Sequence, residues 1–263
     1  MESKPATSSN QSTEKAFKIL EFLAAQPEPL KLLDIARELN MNASTVLRFI
    51  TSMEGMGYIE HDEDKCTYAA STKICELSNS IISRFQLTPI AHSYIEKISK
   101  YTNETTCLTV ERKSKILYVD IALNSNRTLM NIQKVGNSAP LYCTASGKLF
   151  LSQYTSDELD SYIETRGLPK LTNHTLTTRA ALESELDKIR SQGYSVDDEE
   201  NEVGVRCIAF PIYGKGGKII ACASITGPAM RVTMEYLESI RPFLQSSAAE
   251  LSARMQSAER FYN

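Results

Sequence analysis

The feature that most constrains the fold is a run of three short helical patterns and a hairpin pattern within residues 12–72. In the first two patterns, apolar side chains recur every three or four residues. They are Ala16, Ile19, Leu20, Leu23, Leu32, Ile35, Ala36 and Leu39. Ser12 is the expected N-cap of the first helix, which ends before Pro27, and a tight turn at Asn40 ends the second.

A third helix is predicted from Asn42, the expected N-cap, to the glycines at positions 55 and 57. Its inward face carries Val46, Phe49, Ile50 and Met53. Beyond it, residues 58–60 and 66–68 flank a polar turn and predict a β-hairpin. Three helices followed by a hairpin indicate a winged helix-turn-helix.

The outer face of the third helix is small and hydrogen-bonding, and Arg48 is its one cation. Hydroxyl groups can bind phosphates, and an arginine can bind guanine through two hydrogen bonds. An ordinary solvated helix face is the alternative, but the short helix, the tight turn and the hairpin around it favour DNA binding. We therefore predict DNA contacts from Ser44, Thr45, Arg48, Thr51 and Ser52.

Two segments flank this domain. Residues 1–11 are polar and are expected to form a disordered tail. Residues 73–87 are predicted to form a linker helix that ends near Pro89, with a narrow apolar seam. The seam consists of Ile74, Leu77, Ile81 and Phe85. It predicts a helix–helix contact between two copies of the chain; packing on the same chain's winged domain is the alternative.

Residues 88–263 mix strand and helix periodicity without regular alternation, which indicates an antiparallel sheet flanked by helices, in an α+β fold. The predicted strands are 105–112, 116–122, 127–133, 205–213 and 218–226. The predicted helices are 90–101, 144–153, 157–165, 178–192 and 233–255. Pro242 is expected to kink or split the last helix.

Charge and cysteine usage limit the class of protein. The chain holds 29 basic and 32 acidic residues, which does not indicate a general polyanion binder. Residues 1–86 hold 9 Lys and Arg against 12 Asp and Glu, a net charge of −3. The six cysteines are scattered, and no targeting signal or membrane-length apolar stretch is evident. We therefore expect a cytoplasmic protein with no membrane partner.

The sequence gives little support for an enzyme, because the three histidines lie far apart in the sequence and no G-x-S-x-G or P-loop spacing is present. We predict that the protein is not an enzyme and needs no cofactor. Cys143, His174, Asp197 and Cys207 are of metal-ligating types and could converge, but they lack the local spacing of a zinc site. We therefore predict no metal.

An ordered set of motifs occupies residues 33–36, 43–48, 57–59, 140–148, 166–169, 197–200, 204–212 and 224–228. In this order the motifs resemble those of the IclR family of bacterial transcriptional regulators. The resemblance runs from residue 12 to residue 255. No single motif is specific, but their order is.

The resemblance implies a winged-helix DNA-binding domain, a linker helix and a GAF-like domain that binds a small organic acid or aromatic metabolite. It also implies a dimer or a pair of dimers. The pocket residues that it implies are Ala145, Ser146, Asp197, Cys207, Ser224 and Thr226. A plain strand face for Ser224 and Thr226, and a buried structural thiol for Cys207, are the alternatives.

Three positions in the predicted DNA-binding domain are apolar where the family often carries a basic residue, a histidine and an arginine. They are Ala43, Leu47 and Ala69. Together with the net negative charge of residues 1–86, they predict weak binding of DNA by one copy. The rival function is therefore a metabolite-binding module with little or no affinity for DNA.

Overall fold

The computed structural model describes residues 10–82, 87–123 and 133–258. The chain divides into two compact units, residues 1–84 and 85–263. No helix among the described residues is long and apolar enough to cross a bilayer. Each unit has its own hydrophobic core.

The N-terminal unit is a winged helix-turn-helix, as predicted. Its elements are α1 (Gln11–Ala24), β1 (Leu30–Lys31), α2 (Leu32–Glu38), α3 (Ala43–Gly55), β2 (Ile59–Asp62), β3 (Thr67–Ala70) and α4 (Lys73–Ile82). The three strands form an antiparallel sheet in the order β1-β3-β2. Val46, Ile50 and Met53 of α3 are buried against Ile19 of α1 and Ile35 of α2. This packing leaves the opposite face of α3 outside the core.

Two details of the N-terminal unit differ from the prediction. The N-cap of α1 is Asn10 and not Ser12, because the Asn10 side chain accepts a hydrogen bond from the Ser12 N–H at 3.0 Å. The strand β1 was not predicted, since two residues are too short to show a period of two. β1 pairs with β3 and extends the hairpin to three strands.

The C-terminal unit contains a six-stranded antiparallel sheet with helices on both faces, which confirms the predicted α+β class. Its helices are α5 (Leu87–Thr102), α6 (Ala145–Leu151), α7 (Ser156–Arg166), α8 (Arg179–Gln192) and α9 (Met234–Ala258). Its strands are β4 (Thr105–Arg112), β5 (Lys115–Ala122), β6 (Ser138–Pro140), β7 (Ser195–Asp198), β8 (Val205–Tyr213) and β9 (Ile219–Pro228). The strand order is β6-β5-β4-β9-β8-β7.

Alternating side chains along the strands divide this unit into two apolar layers. Leu108 and Ile225 face one layer, which contains apolar residues of α5 and α9. Cys107 and Ala209 face the other layer, which contains residues of α6, α7 and α8. The second layer is the one that holds the motif at residues 140–148.

The structure corrects several predicted boundaries. Pro89 does not end a helix but lies in the first turn of α5, where its missing N–H costs no helical hydrogen bond. The linker helix α4 is described only to Ile82, and the helix α9 runs through Pro242 without being split. The short edge strands β6 and β7 were not predicted. The predicted strand 127–133 lies, except for its last residue, outside the described residues.

Gly147 in α6 generates a prediction on stability. A Cβ atom at this position would lie 2.3 Å from the Leu141 carbonyl oxygen and 2.5 Å from Thr144 Oγ1. Gly147→Ala should therefore lower the free energy of unfolding by about 3 kcal/mol, because the backbone must shift to accept the methyl group. Urea unfolding followed by circular dichroism measures the loss.

Gly55→Ala is the matched control, since a Cβ there meets no atom within 4 Å and the glycine does not have a positive φ. It should be neutral or stabilising by about 0.5–1 kcal/mol. A loss of less than about 1 kcal/mol for Gly147→Ala would contradict the crowding argument.

Candidate functional site

The predicted DNA-binding face lies on the exposed side of α3. Ser44, Arg48, Thr51 and Ser52 are exposed, while Thr45 is half-buried. Leu47 is 41% exposed on the same helix. A core-anchored helix with small polar groups and one cation on its outer side can lie in a DNA groove.

Arg48 is free to bind an external partner. Its guanidinium carbon lies 5.2 Å from the centroid of the neighbouring Phe49 ring, and among the described residues it forms no ion pair. Two other cations of this unit are paired with carboxylates: Arg37 with Asp34 at 2.8 Å, and Lys65 of the hairpin with Asp62 at 3.1 Å.

The second candidate site is a cavity between the start of α6 and the sheet. All six pocket residues implied by the resemblance line it: Ala145, Ser146, Asp197, Cys207, Ser224 and Thr226. Its free volume is about 20 Å³, which is room for about one water molecule. An organic ligand therefore requires lining side chains to move apart.

Strand register explains why distant segments meet at this cavity. Asp197 on β7 pairs with Cys207 on β8, which pairs with Thr226 on β9. Two residues before Thr226 on the same strand, Ser224 pairs with Cys107 on β4. Residues two apart on a strand share a face, so these side chains line one surface.

Several cavity residues were not found from the sequence. They are Cys107, Ile116, Tyr118, Gln133, Thr144, Asn201 and Val205. The alternation within the predicted strands 105–112 and 116–122 assigns faces to Cys107 and Tyr118. Without the neighbour order β5-β4-β9, however, it does not show that this face meets Ser224.

Polar groups in the cavity are left with unused hydrogen-bonding capacity. The hydroxyls of Tyr118, Ser146 and Ser224 form no hydrogen bond with the described residues, although all three residues are buried. Buried polar groups normally have partners, so unpartnered hydroxyls around one space are typical of a ligand site.

Asp197 is 3% exposed, and its Oδ1 accepts hydrogen bonds from the N–H groups of Glu200 at 2.8 Å and Asn201 at 3.3 Å. Its Oδ2 takes part in no hydrogen bond among the described residues. Burial, and then the nearby Glu200 carboxylate, raise the pKa of Asp197 to about 7. This side chain therefore changes charge near neutral pH.

A buried ion pair supports the loop that carries Asp197. Lys148 of α6 is fully buried; its ammonium group bonds to Glu200 and lies 3.4 Å from Glu185 Oε1. The backbone carbonyl of Glu200 also accepts a hydrogen bond from Thr175 at 2.7 Å. Although residues 197–200 form an acidic run, Glu200 is therefore paired inside the unit and is not solvated.

The cysteine thiols near the cavity remain protonated. Burial raises the pKa of Cys107 and of Cys143 to about 12, and it raises the pKa of Cys207 well above its usual value. Because the thiolate is the nucleophile, these thiols are weak hydrogen-bond donors and not reactive groups. Cys207 donates to Thr226 Oγ1 at 3.1 Å.

The four candidate metal ligands do not converge in the part of the chain that the structure describes. There, no group of three or more His, Cys, Asp or Glu side chains is placed to hold a metal ion. His174 lines a separate cavity beside α8 and α9, whereas Asp197 and Cys207 line the first one.

Two family models match the chain, and together they span most of it. The IclR helix-turn-helix domain matches residues 12–63, and the bacterial transcriptional regulator IclR C-terminal domain matches residues 79–253. The second match alone covers more than half of the chain.

Characterised relatives and solved structures agree with these matches. The HTH-type transcriptional regulator KdgR of Escherichia coli (strain K12) is 32% identical over 92% of this chain and 91% of that protein. The transcriptional repressor IclR of the same strain is 26% identical over 94% and 91%, respectively. The crystal structure of the Thermotoga maritima IclR is 32% identical, with a TM-score of 0.80 over 93% of this chain and 98% of that one.

Proposed function

Because the chain belongs to the IclR family of bacterial transcriptional regulators, we propose that it binds operator DNA through α3 and that a small-molecule effector in the cavity controls this binding. The observation that carries the proposal is the convergence of unpartnered polar groups from α6, β5, β7 and β9 on one cavity. A chain of this family that needed only to hold DNA would have no use for such a cavity.

The exposed face of α3 supports the DNA-binding half of the proposal. Arg48 supplies the base contact, and Ser44, Thr51 and Ser52 supply hydroxyls for phosphates. Thr45, which is half-buried, is proposed to contact DNA only at the edge of this face. Since one cation gives weak affinity for DNA, two copies of the N-terminal unit bind two half-sites in this mechanism.

An apolar groove supports self-association of the N-terminal unit. Its volume is about 410 Å³, and its lining residues come from α1, α3, α4 and the segment between α3 and β2. They are Ala16, Phe17, Leu20, Met53, Met56, Tyr58, Ile74 and Leu77. Ile74 packs partly on its own unit, but Leu77 is 46% exposed. The seam residues Ile81 and Phe85 have side chains outside the described part of the chain.

We propose that the effector is a small organic acid or aromatic metabolite. The hydroxyls of Ser146 and Ser224 and the free oxygen of Asp197 are the polar contacts in this proposal. Ala145, Cys207 and Thr226 complete the wall of the cavity. No metal or other cofactor takes part in this mechanism, and no catalytic role is assigned.

The rival function is a metabolite-binding module with little affinity for DNA. Leu47, exposed on α3 beside Arg48, is the observation that favours it. Capture of genomic fragments by the purified protein at moderate salt separates the two functions. Sequence-specific retention supports the regulator, and no retention above the background of a non-binding protein supports the module.

Arg48 generates the first prediction of this section. Arg48→Ala should weaken binding to the captured operator by about 1–3 kcal/mol and relax its sequence preference. Arg48→Lys should also lose preference, because an ammonium group lacks the planar fork that binds guanine. Fluorescence anisotropy on operator and scrambled DNA measures both effects. Lys18→Ala, which removes an exposed cation from α1, is the control for net charge, and an equal effect of the two alanine variants would contradict base reading.

The cavity generates the second prediction. A carboxylate that raises the melting temperature should bind at least about fivefold more weakly to Ser146→Ala and to Asp197→Ala, because each variant loses a ligand hydrogen bond. Isothermal titration calorimetry measures the affinities. Ser191→Ala, at an exposed position on α8, is the control. Unchanged affinity in both cavity variants would place the ligand elsewhere.

The apolar groove generates the third prediction. Phe17→Glu combined with Leu77→Glu should weaken the dimer and operator binding but not effector binding, because the added charges would have to be buried in the contact. Light scattering over a concentration series and ligand titration measure the two properties. Leu33→Glu, at an exposed position on α2, is the control for added charge. A folded double variant that stays dimeric and binds operator normally would rule out this contact.

A further inference from the structure

The charge balance around the cavity is uneven. Among the described residues that line the cavity, Asp197 is the only Asp or Glu, and there is no Lys, Arg or His. The ammonium group of Lys148 acts on Asp197 but is bonded to Glu200 and Glu185. A ligand in this cavity therefore meets one carboxyl group and several neutral donors.

The surrounding charges do not compensate Asp197. Glu185 and Glu200 are matched by two ammonium groups, those of Lys148 and Lys188, the second at 3.7 Å from Glu185. The remaining titratable neighbours of Asp197 are Tyr118, Cys143 and Cys207, whose pKa values burial raises, so that they stay protonated at neutral pH. The Lys148 ammonium group also acts on Asp197, but it is already bonded to Glu200 and Glu185. An ionised Asp197 is thus a buried negative charge with no counter-charge of its own, which is costly.

Each free group of the cavity can donate a hydrogen bond when Asp197 is protonated. The hydroxyls of Tyr118, Ser146 and Ser224 can each donate a hydrogen bond, and a protonated Asp197 adds another donor at Oδ2. Such a set fits a ligand group that only accepts, as a carboxylate does. If Asp197 were ionised, the two carboxylates would face each other, and two carboxyl groups in one site hold a single negative charge between them.

We propose that the cavity selects monocarboxylates, and that the ligand carboxylate and Asp197 share one proton, which is taken up from solvent when the ligand binds. This inference rests on the proposed function, since it concerns the same cavity. A second ligand charge would have no proton and no cation to balance it, so dicarboxylates are excluded.

The sign of the pH dependence follows from the proton uptake. Burial and Glu200 raise the pKa of Asp197 to about 7 in the free protein, so at pH 6 most molecules already carry the proton that the complex needs. Above pH 7 the proton must first be bound, and the affinity falls. The apparent dissociation constant should therefore increase about tenfold from pH 6 to pH 8.

The full-length protein and three matched pairs of probes test the proposal. Each monocarboxylate has a dicarboxylate counterpart: lactate and tartronate, benzoate and phthalate, gluconate and glucarate. The carboxyl groups of the three monocarboxylates titrate near pH 4, so these probes keep their charge from pH 6 to pH 8. Isothermal titration calorimetry at pH 6, 7 and 8, in two buffers of different ionisation enthalpy, gives the affinity and the number of protons taken up.

At least one monocarboxylate should bind about tenfold more weakly at pH 8 than at pH 6, with about half a proton taken up per ligand at pH 7. Its dicarboxylate counterpart should bind at least about tenfold more weakly at pH 7. A monocarboxylate that binds with no pH dependence and no proton uptake overturns the proposal but leaves the effector site standing. Failure of all six probes to bind at any pH overturns both.

Asp197→Asn is the decisive variant, because its amide keeps the acceptor at Oδ1 and presents a permanent donor in place of the proton. It should bind the monocarboxylate without pH dependence, and more tightly than the unmodified protein at pH 8. Weaker binding at all pH values would show that Asp197 accepts a hydrogen bond from the ligand, and would overturn the proposal.

Glu200→Gln is the matched control for the other buried carboxyl group. This variant removes the nearby negative charge and leaves Lys148, so the pKa of Asp197 falls and the pH dependence should move to lower pH without disappearing. A pH dependence that Glu200→Gln abolishes and Asp197→Asn retains would assign the proton to Glu200 and overturn the proposal.

Discussion

The fully buried ammonium group of Lys148 is the constraint on which the candidate ligand site of the C-terminal unit depends. It bonds to Glu200, whose N–H group holds Asp197 and whose carbonyl group accepts from Thr175. One contact therefore joins α6, which carries Ser146, to the loop after β7. Removing the Lys148 ammonium group would leave Glu200 as an uncompensated buried charge, at a cost of about 3–5 kcal/mol. This contact thus sets the relative position of Ser146 and Asp197 in the ligand-free protein.

The same arrangement explains why the free cavity is small. The lining residues belong to strands with fixed register and to a helix held by an ion pair, so the walls have few ways to relax outward. A cavity of about 20 Å³ cannot admit a carboxylate with its substituent unless these walls move. A ligand that binds only the widened arrangement shifts the protein toward it, and this differential affinity is what an effector needs.

Most of the fold could be predicted from the sequence, because amphipathic periodicity and glycine or proline positions specify long elements well. β4 and β8 have the predicted bounds, and the inward face of α3 carries Val46, Ile50 and Met53. What could not be predicted depends on tertiary neighbours. Edge strands of three or four residues show no clear period, and Glu200 reads as solvated until Lys148 is placed beside it. Tyr118 joins the cavity only through the order of the strands.

The net negative charge of residues 1–86 fits the proposed mode of control. Residues 1–86 have a net charge of −3, so a single unit gains little from neutralising phosphates, and Arg48 is the one cation on the face of α3. In the proposed mode of control, binding depends on two copies of this unit that contact both half-sites at once, and a change in their spacing removes most of the gain from the second contact. A strongly basic unit would stay on DNA through either half-site alone. If the proposed control operates, low intrinsic affinity makes DNA binding more sensitive to a modest rearrangement in the C-terminal unit.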